Sequence, residues 1–340
     1  MKVEHIVAGR RTGFCGVVDY AGRIVEALRN QDDVEAQIHE TDGWTVGELN
    51  RILGEVPAAP SSVVHIQYPS IGMGRAPWVA IPPLVCRRAR LFITLHEFST
   101  FSRARKAYML PYAAWAHGLI FVTPQEAEAF RRVYPWAGKK CHVVPIGTNI
   151  VPPAAPHSAD DGIVHFGQIA PGKGLDAFLD VVEALRRRGC TVRCSVVGSI
   201  LDESLPIARR TREVAARCGI ALELGKEADA VSAVLQRHAL AVLPFPDGIS
   251  DKRGSALACL EHGLAVMTIH GDATPEWLRE TTLPFVDAET AAARIERFLR
   301  DRTLPPPQPA STRRILATAL RDRRWPEIAR RHVALYRRAA

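Results

Sequence analysis

Short apolar runs rich in β-formers alternate with longer amphipathic stretches along most of this sequence. In the first half the runs span residues 3–8, 63–67, 91–96, 119–123 and 142–146, and helical periods cover residues 18–29, 105–116 and 124–133. Such alternation is typical of βαβ units, because parallel strands need a crossover connection that a helix can supply. The pattern predicts an α/β fold with parallel sheets.

A proline-rich segment, residues 151–161, interrupts the pattern and lacks any hydrophobic period, which indicates a linker. Beyond it the alternation restarts, with strands predicted at residues 162–166, 191–197, 221–224, 239–245 and 265–270, and helices at residues 175–188, 203–218, 228–237 and 255–262. A length of 340 residues suits two domains. We predict two Rossmann-like, doubly wound domains over residues 1–150 and 162–320, with a ligand cleft between them.

The tail is helical in period from residue 311 to residue 340, with arginines opposite a narrow apolar stripe. That stripe comprises Trp325, Ile328, Ala329, His332, Leu335 and Tyr336. The pattern favours a helix that packs on the body of the protein, and a helix lying on a membrane surface is the alternative.

The composition limits the compartment and the class of protein. No apolar run approaches the roughly 20 residues needed to span a bilayer. The apolar stretch in residues 1–11 is too short for a signal peptide. Seven cysteines without a CxxC pair argue against both a disulfide framework and a zinc site. We expect a cytoplasmic protein that binds no metal.

The net charge of +8 comes from arginine pairs dispersed along the chain, a pattern typical of solvated helix faces. Its functional interpretation is attraction to anionic partners, either phosphorylated substrates or the inner membrane surface, where the protein would bind peripherally. Nucleic acid is not an expected partner, because the basic residues carry no interleaved aromatic platform and no binding module is recognisable.

Two glycine-containing turns lead from predicted strands into helices. In the first, Gly13 and Gly16 follow the first strand, and an ordinary tight turn is an equally good interpretation. In the second, residues 167–174, Lys173 stands between two glycines just before a helix. A lysine beside free helix N–H groups suits a diphosphate. The alternative is a solvated loop lysine.

The segment of residues 244–263 leaves a strongly apolar strand, turns at Asp247 and enters a helix near Gly254 and Ser255. Lys252 and Arg253 crowd the start of that helix, where cations are electrostatically unfavourable. We infer that an anionic ligand offsets them. Capping of the helix by Ser250 or Asp251 is the alternative interpretation, and it would explain one residue only.

His96 and Glu97 follow the predicted strand of residues 91–96. A histidine at such a strand end can hydrogen-bond a sugar or transfer a proton, and a structural histidine is an equally good interpretation. Residues 98–106 form a basic–aromatic stretch that could meet a lipid-linked acceptor at the membrane surface or be a loop before a helix.

The order and spacing of these motifs resemble the retaining glycosyltransferases of family four, also called group 1, over nearly the whole chain. The shared motifs are the glycine turn, the strand ending at His96, and residues 123–126, 144–149, 166–174, 244–263 and 325–336. The resemblance implies the GT-B fold, in which a C-terminal helix, here residues 321–340, crosses back to the N-terminal domain. It also implies transfer of a hexosyl group from a nucleoside-diphosphate sugar to a saccharide or lipid-linked acceptor, with no further cofactor.

By the same resemblance, Gly13 and Gly16 match a loop near the donor phosphates, Lys173 the phosphate-binding lysine, and His96 a histidine on the acceptor side. Lys226 lies in the segment that matches the base-contacting loop. The resemblance thus implies catalytic roles for His96 and Lys173, to which we add Arg253.

The sequence departs from the family at two places. The family usually carries an arginine at the position of Gln168, and two glutamates at the positions of Ser250 and Ala258. We hypothesise that Arg253 supplies the phosphate charge missing at Gln168. Loss of the glutamates leaves a non-catalytic nucleotide-sugar binder as the main alternative, ahead of an epimerase of the same architecture.

Overall fold

The computed structural model describes residues 1–9, 15–56, 59, 61–74, 77–85, 88–153, 162–200, 202–301, 303 and 309–338. Contacts divide the chain into two compact units. The first comprises Met1–Gly147 together with Asp322–Ala340, and the second comprises Thr148–Arg321.

The first unit alternates strands and helices. Its strands are β1 (Lys2–Ala8), β2 (Glu35–Thr41), β3 (Val63–Tyr68), β4 (Arg90–Leu95), β5 (Gly118–Phe121) and β6 (Cys141–Val143). Its helices before the linker are α1 (Gly16–Arg29), α2 (Val46–Glu55), α3 (Pro82–Val85), α4 (Arg103–Ala107), α5 (Leu110–Trp115) and α6 (Pro124–Val133). All strand pairs are parallel, in the order β2-β1-β3-β4-β5-β6.

The second unit repeats this architecture. Its strands are β7 (Ile163–Phe166), β8 (Cys194–Gly198), β9 (Ile220–Leu224), β10 (Leu240–Val242), β11 (Ala265–Thr268) and β12 (Leu283–Pro284). Its helices are α7 (Leu175–Arg187), α8 (Pro206–Cys218), α9 (Ala228–Leu235), α10 (Gly254–Glu261), α11 (Glu276–Thr281), α12 (Ala288–Arg300) and α13 (Ala310–Arg321). This parallel sheet has the order β12-β11-β10-β7-β8-β9.

Read from its other edge, the second sheet has the 3-2-1-4-5-6 strand order of Rossmann domains, with β7 as its first strand. The strand order reverses between β7 and β10, so the connections from these neighbours leave toward opposite sides of the sheet. Open α/β sheets bind ligands outside the carboxyl ends of such strands. The predicted α/β class with two doubly wound sheets is confirmed.

A last helix, α14 (Trp325–Arg338), returns to the first unit. Its apolar stripe, including Ile328, Ala329 and Tyr336, is buried in a cluster with residues of β1, β4 and β5. The stripe therefore packs on the protein, and the alternative of a membrane-surface helix is wrong. The tail is also two helices rather than one, because α13 ends at Arg321 and belongs to the second unit.

Two local differences from the predicted elements have physical causes. The single helix predicted over residues 105–116 is divided into α4 and α5, because Pro111 lacks an N–H and fits only the first turn of a new helix. Strand β2 was not predicted, since its sequence EAQIHET lies at a sheet edge and is too polar to form an apolar run. By contrast, α6 begins as predicted, with the Thr123 side chain accepting from the Glu126 N–H.

In the described part of the chain, no helix combines the length and apolar character needed to cross a bilayer.

Candidate functional site

The loop from β7 to α7 lies directly on the chain that leaves β10. Gly174 caps α7 with φ +82°, and a Cβ at this position would lie 2.5 Å from the carbonyl oxygen of Pro244. Only glycine meets both conditions. Lys173, which is half-buried, directly precedes Gly174. The turn therefore places this lysine at the carboxyl ends of β7 and β10.

This close approach makes Gly174→Ala a test of the loop geometry. We expect it to lower the free energy of unfolding of the second unit by about 3 kcal/mol, from left-handed backbone strain plus overpacking. Gly189→Ala is the matched control, since Gly189 has φ +78° and a Cβ added to it would meet no atom within 4 Å. We expect about 1 kcal/mol there. Equal losses in urea unfolding would contradict the close packing.

The segment from β10 to α10 holds Arg253 in a defined place. Its guanidinium lies over the Phe245 ring, 4.5 Å from the centroid, and it donates to the carboxylate of Asp247. The Arg253 side chain is 17% exposed, whereas that of Asp247 is 73% exposed. The Asp247 carboxylate therefore already offsets the Arg253 charge. The sequence had instead suggested that a bound anionic ligand would do so.

Helix α10 begins at Gly254, and Arg253 itself is the N-cap, without any side-chain cap. Capping by Ser250 or Asp251 is therefore wrong. Asp251 instead accepts a hydrogen bond from Trp277 Nε1 at 3.0 Å, which ties this segment to α11.

The two loops meet at the point where the strand order reverses. A Cβ on Gly167, which follows β7, would lie 3.9 Å from Ser255 Oγ in the first turn of α10. The structure thus brings together the segments that carry Gln168, Lys173, Arg253 and Ser255. A lysine, an arginine and the N-terminal end of a helix at one sheet edge can bind an anion.

Lys226 stands apart from this group. It follows β9, which β8 separates from β7, and its ammonium forms an ion pair with Glu223 at 3.2 Å. No such pair holds Lys173 among the residues that the structure describes. Lys173 is therefore the better placed of the two to accept an external anion.

One further group at this site, His165 on β7, was not predicted from the sequence. Its Nδ1–H donates to the carbonyl oxygen of Val242 at 3.1 Å, and burial lowers its pKa to about 4. Its Nε2 is buried and has no hydrogen-bond partner in the described chain. A Cβ on Gly167 would lie 4.0 Å from this atom. The unprotonated Nε2 of His165, a hydrogen-bond acceptor, therefore faces the loop that follows β7. A histidine within an otherwise apolar strand was the available signal.

In the first unit His96 follows β4 and is buried. Its Nε2 lies 3.0 Å from Gln67 Oε1, and its ring meets the edge of Tyr20 at a centroid distance of 5.1 Å. Gly16 is the first residue of α1 and is exposed. Gly13 lies outside the described residues.

In the basic–aromatic stretch of residues 98–106, the two phenylalanines point into the protein, whereas most of the other residues are exposed. Phe98 and Phe101 are buried in the core. The Arg105 guanidinium packs over Phe101 at 4.2 Å and donates to Tyr68 Oη at 2.7 Å. The two phenylalanines therefore do not face an acceptor, and contact of the stretch with a lipid-linked acceptor stays a prediction.

No protein-family model matches this sequence, and no curated protein is significantly similar to it. Solved structures do match. HepE of Anabaena in complex with UDP has a TM-score of 0.69 at 13% identity, over 98% of this chain and 99% of that one. A glycosyltransferase from Rickettsia africae gives 0.69 at 12% identity, over 99% and 98%. Sucrose-phosphate synthase from Thermosynechococcus elongatus gives 0.65 at 17% identity, over 99% and 98%.

The chain has the GT-B fold. Within this fold, the position of Ala258, where the resembled family carries its second glutamate, is buried in the core of the second unit. Ser250, at the position of the first glutamate, is half-buried. The cleft predicted between the two domains stays a prediction.

Proposed function

We propose that the protein transfers a sugar from a nucleoside-diphosphate sugar to an acceptor hydroxyl. One observation carries the proposal: the loops bearing Lys173 and Arg253 leave the two neighbouring strands between which the sheet order reverses. That position is where doubly wound sheets hold nucleotides, and the two cations suit a diphosphate.

In this reaction the site must stabilise the negative charge that develops on the leaving diphosphate. Lys173, Arg253 and the N–H groups at the start of α10 would supply it, because the fold brings the segments that carry them to one edge of the sheet. We propose on the family resemblance that the sugar is transferred with retention, with the leaving phosphate oxygen accepting the acceptor proton. We propose that these cations and the helix N-terminus bind the diphosphate without a metal ion or a further cofactor.

The donor class is proposed from the structural neighbours. HepE has been solved with UDP and glucose and with UDP-glucose. A uridine diphosphate hexose is therefore the first donor to test. We propose a saccharide or lipid-linked acceptor bound by the first unit near His96, in the synthesis of a bacterial glycan or glycoconjugate.

A panel of nucleoside diphosphates and their sugars, screened by thermal unfolding, tests the proposal. A ligand at about 100 times its dissociation constant adds roughly 2.7 kcal/mol of stability. We expect UDP and at least one UDP-sugar to raise the melting temperature. The absence of a response to every nucleoside diphosphate would contradict the proposal.

A non-catalytic nucleotide-sugar binder is the second candidate, favoured by Ser250 and Ala258 at the positions of the two glutamates. Single-turnover hydrolysis of the stabilising donor separates the two. Release of free sugar by wild type, lost in Lys173→Ala, supports an enzyme, whereas binding without turnover supports the binder.

Peripheral membrane contact is a further part of the proposal. Elements α3 and α5 and the 3-10 helix Pro77–Ala80 pack on one another, and each exposes large apolar side chains. We call these side chains the apolar patch; they are Trp78, Leu84, Leu110 and Trp115. Arg103 and Lys106, on the adjacent α4, add positive charge. Amphipathic aromatic residues beside cations suit an anionic bilayer surface.

Vesicle co-sedimentation tests the apolar patch. The double variant Leu84→Ser/Leu110→Ser should bind anionic vesicles about 30-fold more weakly, since each half-exposed leucine loses roughly 1 kcal/mol of transfer energy. Val286→Ser, at an exposed apolar position of the second unit, is the control and should bind like wild type. Unchanged binding of the double variant would remove the patch from the proposal.

A further inference from the structure

His165 differs from two other buried histidines of the second unit in having one unbonded ring nitrogen. His238 bonds a carbonyl oxygen through Nδ1 and Ser195 Oγ through Nε2, at 2.8 and 2.9 Å. His262 likewise bonds a carbonyl oxygen and the hydroxyl of Ser232. His165 Nε2 has no such partner within the described chain. Leaving a buried acceptor unbonded costs stability, and a ligand that supplies the donor recovers it.

The bonded nitrogen of His165 determines what the other nitrogen can do. The carbonyl oxygen of Val242, 3.1 Å from Nδ1, can only accept, so Nδ1 carries a proton. Burial lowers the pKa of His165 to about 4, so the ring is neutral at pH 7 and holds no second proton. Nε2 therefore presents a lone pair, which accepts a hydrogen bond. Because the partner is a backbone carbonyl, the opposite assignment would leave no donor in this bond.

The missing side chain of Gly167 opens a small space in front of this lone pair. Apart from the two chain neighbours of Gly167, two described atoms lie within 4 Å of the place that a Cβ would take. They are Ser255 Oγ at 3.9 Å and His165 Nε2 at 4.0 Å, and both are polar. Gly167 is half-buried, so part of its surface is accessible to a ligand.

Within the described chain, neither the backbone nor the packing around residue 167 requires a glycine. Gly167 is not one of the glycines with φ in the left-handed region. Its N–H continues the pairing of β7 by donating to the carbonyl oxygen of Val197 at 3.0 Å. Gly174 of the same loop, by contrast, has φ +82° and no room for a Cβ. Glycine at position 167 thus leaves a space that the folded chain does not use, as expected where a ligand approaches the backbone closely.

We propose that His165 is a further binding residue, whose Nε2 accepts a hydrogen bond from a hydroxyl group of the nucleotide sugar in the space beside Gly167. The inference rests on the proposed function, because the loops of Lys173 and Arg253 hold that ligand. These cations and the start of α10 attract the phosphate oxygens, whereas the lone pair of Nε2 repels them. A hydroxyl group can donate to it, and both the ribose and the hexose carry hydroxyl groups. A buried acceptor of this kind discriminates against ligands that lack the hydroxyl group.

Gly167→Ala tests the space without disturbing the fold. The added methyl group makes only ordinary contacts, so the melting temperature of the free protein should be unchanged or slightly higher. Titration calorimetry should show about tenfold weaker binding of UDP-glucose, because the methyl group fills the place of the hydroxyl and one hydrogen bond is lost. Gly54→Ala is the matched control, since this exposed position in α2 has no atom within 4 Å of an added Cβ. It should bind like wild type.

His165→Leu tests the acceptor itself and should weaken binding of UDP-glucose by a similar factor, about tenfold. Its control is His238→Leu, which removes a buried histidine whose two nitrogens are both bonded, and which should bind like wild type. A parallel titration with UDP locates the hydroxyl group. Weaker binding of UDP-glucose alone places it on the hexose, whereas equal weakening of both ligands places it on UDP.

Two-bond ¹⁵N–¹H correlation spectra of the histidine-labelled protein observe the bond directly. We expect His165, assigned by His165→Leu, to be an Nδ1–H form whose Nε2 signal shifts when UDP-glucose is added, while Nδ1 stays the only protonated nitrogen. An Nε2–H form in the free protein would overturn the inference without any ligand. A doubly protonated ring in the complex would also overturn it, because Nε2 would then donate to a phosphate oxygen.

The titrations separate failure of this inference from failure of the proposed function. Wild-type affinity for both ligands in Gly167→Ala and in a folded His165→Leu would overturn the role of His165 and leave the proposed function intact. Failure of the wild type to bind either UDP or UDP-glucose would contradict the proposed function and overturn the inference with it.

Discussion

Replacing Arg253 with alanine is expected to weaken binding of the nucleoside diphosphate by at least about a hundredfold, with the fold intact. The loss corresponds to about 3 kcal/mol, the upper range for a hydrogen bond to a charged group. The fold should survive because the Asp247 carboxylate left behind is 73% exposed and therefore hydrated. Titration calorimetry measures the affinity for UDP, and circular dichroism shows whether the fold is intact.

Two controls make the Arg253 result specific. Arg300→Ala removes an arginine whose ion pair with Glu296, at 2.9 Å, lies within α12, and it should bind like wild type. Asp247→Asn removes the in-chain anion while keeping the guanidinium, so we expect binding as tight as in wild type or tighter. Wild-type affinity for UDP in Arg253→Ala would contradict the assignment of Arg253 to the phosphate site.

Acid is expected to destabilise the first unit because fully buried histidines, among them His5 and His332, are neutral in it. Burial lowers the pKa of His5 to about 3 and that of His332 to about 4. The unfolded chain takes up protons near pH 6.5 and the folded chain does not, so stability present above that pH is lost as the pH falls. At pH 5 each histidine should cost about 2 kcal/mol.

Urea unfolding at pH 7 and pH 5 measures this loss, with about 4 kcal/mol expected for the two histidines together. His332→Leu removes one titrating group whose Nε2 has no hydrogen-bond partner in the described residues. We expect this variant to recover about 2 kcal/mol of the pH-dependent loss, the share of His332. Equal stability of the wild type at the two pH values would contradict neutral burial.

The sheets were predictable because their strands are apolar runs buried by flanking helices. The strands missed were those without such a run, such as β2, whose polar residues lie at an edge. Pro111 indicates the break between α4 and α5, but the apolar residues on both sides of it keep a helical period, so one continuous helix was predicted.

The candidate site was predictable only in part. The loops of Lys173 and Arg253 were recognisable because each places a glycine and a cation just before a helix. That pattern reflects local backbone geometry, which the sequence records directly. Contacts across strands gave no such signal. His165 is held at the site by its hydrogen bond to Val242 on the neighbouring strand, and the packing of the His5 ring on the His65 ring depends on the register that sets these two residues opposite each other. Residues on separate strands reveal a shared site only after those strands pair.

The central claim is that the carboxyl ends of β7 and β10 hold a nucleoside diphosphate. A crystal structure of the protein with UDP tests it most directly. We expect the diphosphate beside Lys173 and Arg253, at the first turn of α10. A diphosphate bound away from these residues, or no bound nucleotide at saturating concentration, would contradict the account.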